Sequence, residues 1–309
     1  MIILYWIFLS GAVFLTGAYI SKIVITVPSG ADPCIPEGKN KCCGESASLI
    51  IFLLSLITLT ANIAHLGLHA SYMTETPLSN VFSILPLFIK NTRFGVFSFY
   101  RTVFLVVIVL ISFYTLKRND KPANVSGVIF SLVLVITLTM SGHQGTKGYF
   151  NIPFFIDNLH IIAISYWIGG LMFIRLCYSY FLTAADISFW NTFLRLINRF
   201  SQSATVSVLI VGLTGLVLFY YNYGNVNRTI TGWYRSVLIF KTVLAVILIT
   251  LGGINKFLFL PEINRTGTGE WAKLAQMRRN VNNFITAEVI IALMILLSTS
   301  LLTHLSPGG

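Results

Sequence analysis

Five histidines are the residues of this chain best suited to specific chemistry. His65, His69 and Met73 recur every four residues and therefore share one face of a helix, and Met140 and His143 lie three apart, again a same-face spacing. Imidazole nitrogen with thioether sulfur is a donor set for copper. Calcium and magnesium instead require carboxylate and carbonyl oxygen, which are sparse around these positions. His65, His69, His143 and His160 are the candidate metal ligands, with Met73, Met140 and His304 as further ones; a methionine at helical spacing is also ordinary packing.

Other groups carry weaker signals. Glu288 sits nine residues beyond Arg279 in an apolar run, which is about 13 Å along a helix. An acid at such a depth in hydrocarbon costs at least about 2.5 kcal/mol and needs an account. It could pair with Arg175, or carry protons or a metal. Lys241 lies close enough to Arg235 for its ammonium to reach an interface. Cys34, Cys42 and Cys43 lack a CxxC spacing but could receive a soft metal as reduced thiols, whereas Cys177 reads as a small core residue. The pairs Gly169–Gly170 and Gly252–Gly253 remove side-chain bulk, either for close helix approach or for a flat cofactor. No GxxxxGK[ST] phosphate loop occurs, so nucleotide hydrolysis has no seat here.

The elements that must position these residues follow from composition. Of 309 residues 55% are hydrophobic and only 10% charged, against about 25% charged in a soluble domain. The chain has too little polar surface to cover itself in water, so it reads as an all-α, polytopic membrane bundle with lipid as its solvent. No segment is left over for a soluble module or a nucleic-acid platform, and residues 1–309 form a single integral membrane domain. A span needs roughly 20 apolar residues. Eight runs qualify: 1–27, 48–68, 94–116, 123–141, 156–181, 200–221, 236–260 and 281–304. The first lacks the basic start and short apolar stretch of a cleaved signal and is kept as a helix.

Eight spans put both termini on one side. Twelve Lys and Arg residues fall on the opposite side, and six (Lys90, Arg93, Arg101, Lys147, Arg228 and Arg235) on the terminal side. The positive-inside rule then places both termini outside, the periplasm in a bacterium. All five histidines fall at the outer ends of spans on this topology.

The second half carries a recognisable pattern: Ser141-Gly142-His143, Asp157-Asn158-Leu159-His160, then Trp167-Ile168-Gly169-Gly170. Arg199-Phe200-Ser201 leading to Thr214-Gly215, then Lys241, Asn255 and Pro261, and Arg278-Arg279 before Glu288 follow in order. Over about residues 140–290 this resembles the copper resistance protein D family. The resemblance implies an eight-helix protein of the bacterial cytoplasmic (inner) membrane that takes copper from a periplasmic copper-binding partner and moves it inward. Gln144 stands where the family commonly has a small residue, and the cysteine-rich first loop departs from the pattern. No carrier domain is fused to either end, so the donor is expected to be a separate protein. The expectation is a transporter or metal-binding protein rather than an enzyme. The same broad superfamily resembles membrane haem proteins, so the alternative is a b-type haem protein with redox or oxidase activity. That alternative needs histidines on two different helices around one iron, because His65 and His69 share a helix face.

Overall fold

A computed structural model describes residues 1–26, 42–118, 120–142, 151–183, 187–223, 232–265 and 271–305. Every regular element among them is helical: α1 (Ile2–Ser21), continued by a π-helical turn (Lys22–Thr26), α2 (Cys42–Thr74), α3 (Val81–Asn91), α4 (Arg93–Lys117), α5 (Lys121–Ser141), α6 (Ile152–Thr183), α7 (Ile187–Tyr223), α8 (Gly232–Ile254), a second π-helical turn (Asn255–Phe259), α9 (Leu260–Arg265) and α10 (Trp271–His304). Among the described residues eight helices are long and apolar enough to cross a membrane, as expected. The protein is an all-α membrane bundle.

Helix α1 is the hub. It packs against α2, α5, α6 and α10, and twelve of its 20 residues are buried. Close approach to α6 depends on glycine at two positions. A Cβ on Gly169 would stand 2.5 Å from the Val13 carbonyl oxygen and 2.8 Å from Gly17 Cα, and one on Gly17 would meet Gly169 Cα at the same 2.5 Å. With no bulk between them the backbones touch, and dispersion contacts replace the hydrophobic force that is absent between helices in lipid. Polar links then fix register: Tyr19 and Ser112 hydroxyls lie 2.8 Å apart between α1 and α4, and Thr139 Oγ1 and Asn158 Oδ1 lie 2.8 Å apart between α5 and α6. Asn158, inside the family-like motif, is thus a helix-to-helix fastening.

The tight turn between α4 and α5 forms as its sequence requires. Ala123 N–H donates to the Asp120 carboxylate at 3.1 Å, capping α5, and Arg118 pairs with the same carboxylate at 3.2 Å. One element was not expected. Helix α3 is short, holds Pro86, and lies against α2 and α4 with Val81 and Phe88 buried and Phe82 and Leu87 exposed. At 11 residues it is too short to span, and its two-sided character suits the interface.

Candidate metal centre

The end of the bundle that holds the start of α1 and the finish of α10 gathers three of the predicted imidazoles. Helix ends are placed by two long-range bonds: Ser300 Oγ donates to the Ile2 carbonyl at 2.8 Å, and Trp6 Nε1 donates to the Leu293 carbonyl at 3.1 Å. These bring His304 beside α1. The ring of His65 on α2 lies 6.0 Å from that of His304 and 6.0 Å from that of His69, centre to centre. Tyr5 touches both His65 and His304, at 5.2 and 5.6 Å. Phe94 stacks flat on His69 at 3.9 Å, and Phe88 of α3 lies 6.3 Å from His69.

The free valences of these rings point to a ligand. His65 is 3% exposed, and its Nε2, like His69 Nδ1, is buried with no hydrogen-bond partner. A buried polar atom left unsatisfied costs about 1–3 kcal/mol. His304 Nδ1 donates to the Ser300 carbonyl at 2.8 Å, which leaves its Nε2 as a lone pair. Imidazoles sharing one ion through bonds of about 2.0 Å have ring centres about 5 to 6 Å apart. The 6.0 Å separations stand at the upper edge of that range. Among the described residues no three His, Cys, Asp or Glu side chains converge as a closed metal site. The rings are gathered, and a small approach would be needed to enclose an ion.

The other sequence candidates fall elsewhere. His160 is one helix further round the bundle, with Nδ1 2.8 Å from Thr214 Oγ1 of α7. The Thr214 hydroxyl donates to the Ile210 carbonyl at 2.5 Å, so it accepts from His160, whose ring is also bonded to the Val211 backbone. Asp157 and Lys241 act electrostatically on one another here, and Lys241 also acts on His160. Met73 is 61% exposed near the end of α2, and Met140 is half-buried on α5. His143 and Cys34 lie outside the described residues, as do the side chains of Cys42, Cys43 and Cys177.

Two residues of this region were not anticipated in their role. Tyr5, the ring between two histidines, is 60 positions from His65 and carries no local signal. The charge pattern puts Arg101 among the terminal-side cations, but the structure buries it within a span. It is 1% exposed, two turns inside α4. Its Nη2 donates to the Thr137 carbonyl at 2.9 Å and its Nε to Thr137 Oγ1 at 3.3 Å, Nη2 also donates to Ser141 Oγ, and the guanidinium stands 5.6 Å over Phe8. Its position in an otherwise apolar run was the available signal. Without it the cation count is twelve against five, and the inferred orientation is unchanged.

Glu288 occupies a second, distinct place. It is 2% exposed, its Oε1 has no partner, and its carboxyl is bonded by the Asn255 side chain from the π-helical turn after α8. The expected pairing with Arg175 is not found: Arg175 Nε donates to Thr286 Oγ1 at 3.0 Å instead. Arg175 is spent on a residue of α10 two positions before the acid, which points to a different face of the helix. Glu288 borders a cavity of about 210 Å³ between α6, α7, α8 and α10, which Gly252, Gly253 and Lys256 also line. Lys256 Nζ donates to Thr205 Oγ1 at 2.5 Å across it. The two glycine pairs therefore differ. Gly169 and Gly170 are filled by α1 and Phe200, with no room for a macrocycle, whereas Gly252 and Gly253 face open space.

An all-helical membrane bundle with imidazole rings gathered at one end and a buried acid is the class these features define. The family comparisons give the class its name. The family described as "Copper resistance protein D-like, N-terminal domain" matches residues 1–148, and "Copper resistance protein D" matches residues 194–302. The chain belongs to the copper resistance protein D family and is a protein of the bacterial inner membrane. It is 26% identical over 167 residues to "Copper transport protein CutJ" of Bacillus subtilis (strain 168), an alignment covering 54% of this chain and 30% of that relative. The chain thus spans less than a third of the relative it matches. No solved structure matches it. The haem alternative finds no support in these comparisons or in the packing at Gly169 and Gly170.

Proposed function

We propose that this protein takes up copper from a separate copper-binding protein at the outer face of the membrane and passes it inward. In this reading residues 1–309 work as one membrane unit with both termini outside. The supporting observation is the pair of buried, partnerless ring nitrogens on His65 and His69 beside the free Nε2 of His304. Imidazole suits copper, and the family is one of copper resistance and transport. His143 and His160 stay in the proposed donor set. Met73 and Met140 stay as further candidate ligands. Inward movement of a cation is favoured by the membrane potential, about 2.3 kcal/mol per charge per 100 mV, so no nucleotide site is required.

The test is a copper titration of the purified chain with His65→Ala, His69→Ala, His143→Ala and His160→Ala, alongside copper uptake in cells. Each variant is expected to weaken binding and uptake together. Parent-like binding in His65→Ala and His69→Ala overturns the outer site. Orientation is tested separately with a reporter fused after Gly309, expected to be active only outside.

A further inference from the structure

The most unusual group near the gathered rings is a charge without a counter-ion. Arg101 is buried and permanently protonated, yet no acidic side chain pairs with it among the described residues. Its partners among the described residues are neutral: the Thr137 carbonyl and hydroxyl, the Ser141 hydroxyl and the Phe8 face. A buried charge is normally held by an opposite one, since desolvation costs several kcal/mol per ion. Here neutral dipoles solvate it and its field stays unneutralised. That field reaches the rings. Phe8 lies 6.1 Å from Tyr5 and Tyr5 lies 5.2 Å from His65, and Arg101 acts electrostatically on both Tyr5 and His65. The one carboxylate acting on Tyr5 is Asp157, and it is engaged by Lys241.

Resting on the copper-uptake reading, we propose that Arg101 is a specificity-determining residue that makes the His65–His69–His304 cluster select a soft monovalent cation, the cuprous ion, over the cupric ion. The argument is one of charge. Neutral imidazoles bring no negative charge to the site, and the guanidinium repels an incoming divalent ion twice as strongly as a monovalent one. One extra unit charge at about 10 Å, in an effective dielectric of about 20, changes affinity on the order of tenfold. Imidazole alone would rank the cupric ion highest among divalent metals, so the discrimination must come from the surroundings of the ligands. Arg101 supplies it, held rigidly by two groups of α5, one of them the Ser141 of the family-like motif.

The experiment measures binding of Ag⁺, a redox-inert stand-in for Cu⁺, and of Cu²⁺ to the purified full chain, with Cu⁺ itself titrated anaerobically against a competing chelator. The parent is expected to bind Ag⁺ and Cu⁺ more tightly than Cu²⁺, and His65→Ala to lose all three. Arg101→Gln, which keeps an amide donor for Thr137, should move the Cu²⁺ to Ag⁺ affinity ratio about tenfold toward Cu²⁺. Arg101→Lys, which keeps the charge, should leave the ratio as in the parent and serves if the glutamine variant does not fold. An unchanged ratio in Arg101→Gln, a lysine variant that shifts as glutamine does, or a parent that prefers Cu²⁺ overturns the proposal while leaving the outer site standing. A parent that binds none of the three ions through His65 overturns the copper reading instead.

Discussion

The two places where this bundle holds unusual polar groups are built in opposite ways. At the histidine cluster the side chains come from α1, α2, α4 and α10; α2 and α10 pack on the hub and α4 packs on α2, and α1 buries twelve of its residues. Around Glu288 the walls are loose. Helix α8 packs mainly on α10 and buries only Leu244 and Leu248, and the cavity beside it is bounded by glycines that touch nothing. Geometry matters most where ligands must converge on one ion, so rigidity belongs at the first place. A group that exchanges a proton or lets a cation pass needs room and weak partners, which the second place has. In our reading capture and passage are separate jobs. Helix α10 links them, with His304 and Glu288 sixteen residues apart, about 24 Å along the axis.

The largest effect should break the histidine cluster alone. His65→Ala removes a ligand and is expected to lower copper affinity at least about a hundredfold, beyond what loss of an outer-shell group costs. His304→Ala should approach it. The Ser300 and Trp6 bonds anchor that end of the last span to α1, so it does not fray as a free terminus would. Glu288→Gln is the matching change at the second place, expected to leave copper affinity within about twofold while uptake falls. Binding isotherms and uptake measured on the same variants decide it. Equal loss of both in Glu288→Gln would merge the two places into one.

Next in size is the packing contrast. Gly169→Ala pushes a methyl into the Val13 carbonyl and Gly17 backbone, neither of which can step aside, and should cost about 1–3 kcal/mol as an overpacked core does. Gly252→Ala meets nothing within 4 Å and should be neutral or gain up to about 1 kcal/mol from helix propensity. Thermal unfolding in detergent compares them. Equal destabilisation would mean that the glycines beside the cavity are packed in the membrane.

How much of this was legible in the sequence varies with the range of the interaction. The eight spans were readable because lipid imposes a length and an apolar run that any helix must meet. His65 and His69 were readable because a four-residue spacing is local. Helix α3 escaped notice because 11 residues with an internal proline resemble a loop in hydropathy. Tyr5 and His304 meet His65 only through the packing of α1 and α10 on α2, which no local pattern encodes. Arg101 was misplaced because a charge count treats any cation near a span end as solvated, whereas a hydrogen-bonded pocket on α5 awaits this one. Glu288 was marked correctly as unusual, but its partner was sought among charges when the structure supplies an amide.

That last difference gives the smallest predicted effect. If Arg175 and Glu288 formed a buried pair, removing one would strand the other, and a double-mutant cycle would show coupling of about 0.5–3 kcal/mol. The observed bonds are separate, Arg175 to Thr286 on one side and Asn255 to Glu288 on the other. Both acceptors sit on α10, two residues apart, but such neighbours point about 200° apart around a helix. The changes Arg175→Met and Glu288→Met should therefore add, with coupling below about 0.5 kcal/mol in detergent stability. Asn255→Leu combined with Glu288→Met should not add, because the single Asn255 change leaves the acid with both oxygens unsatisfied and the double change removes that penalty. Additivity in the first cycle and coupling in the second would assign Glu288 to the cavity beside the π-helical turn. The reverse pattern would tie it to Arg175 and α6.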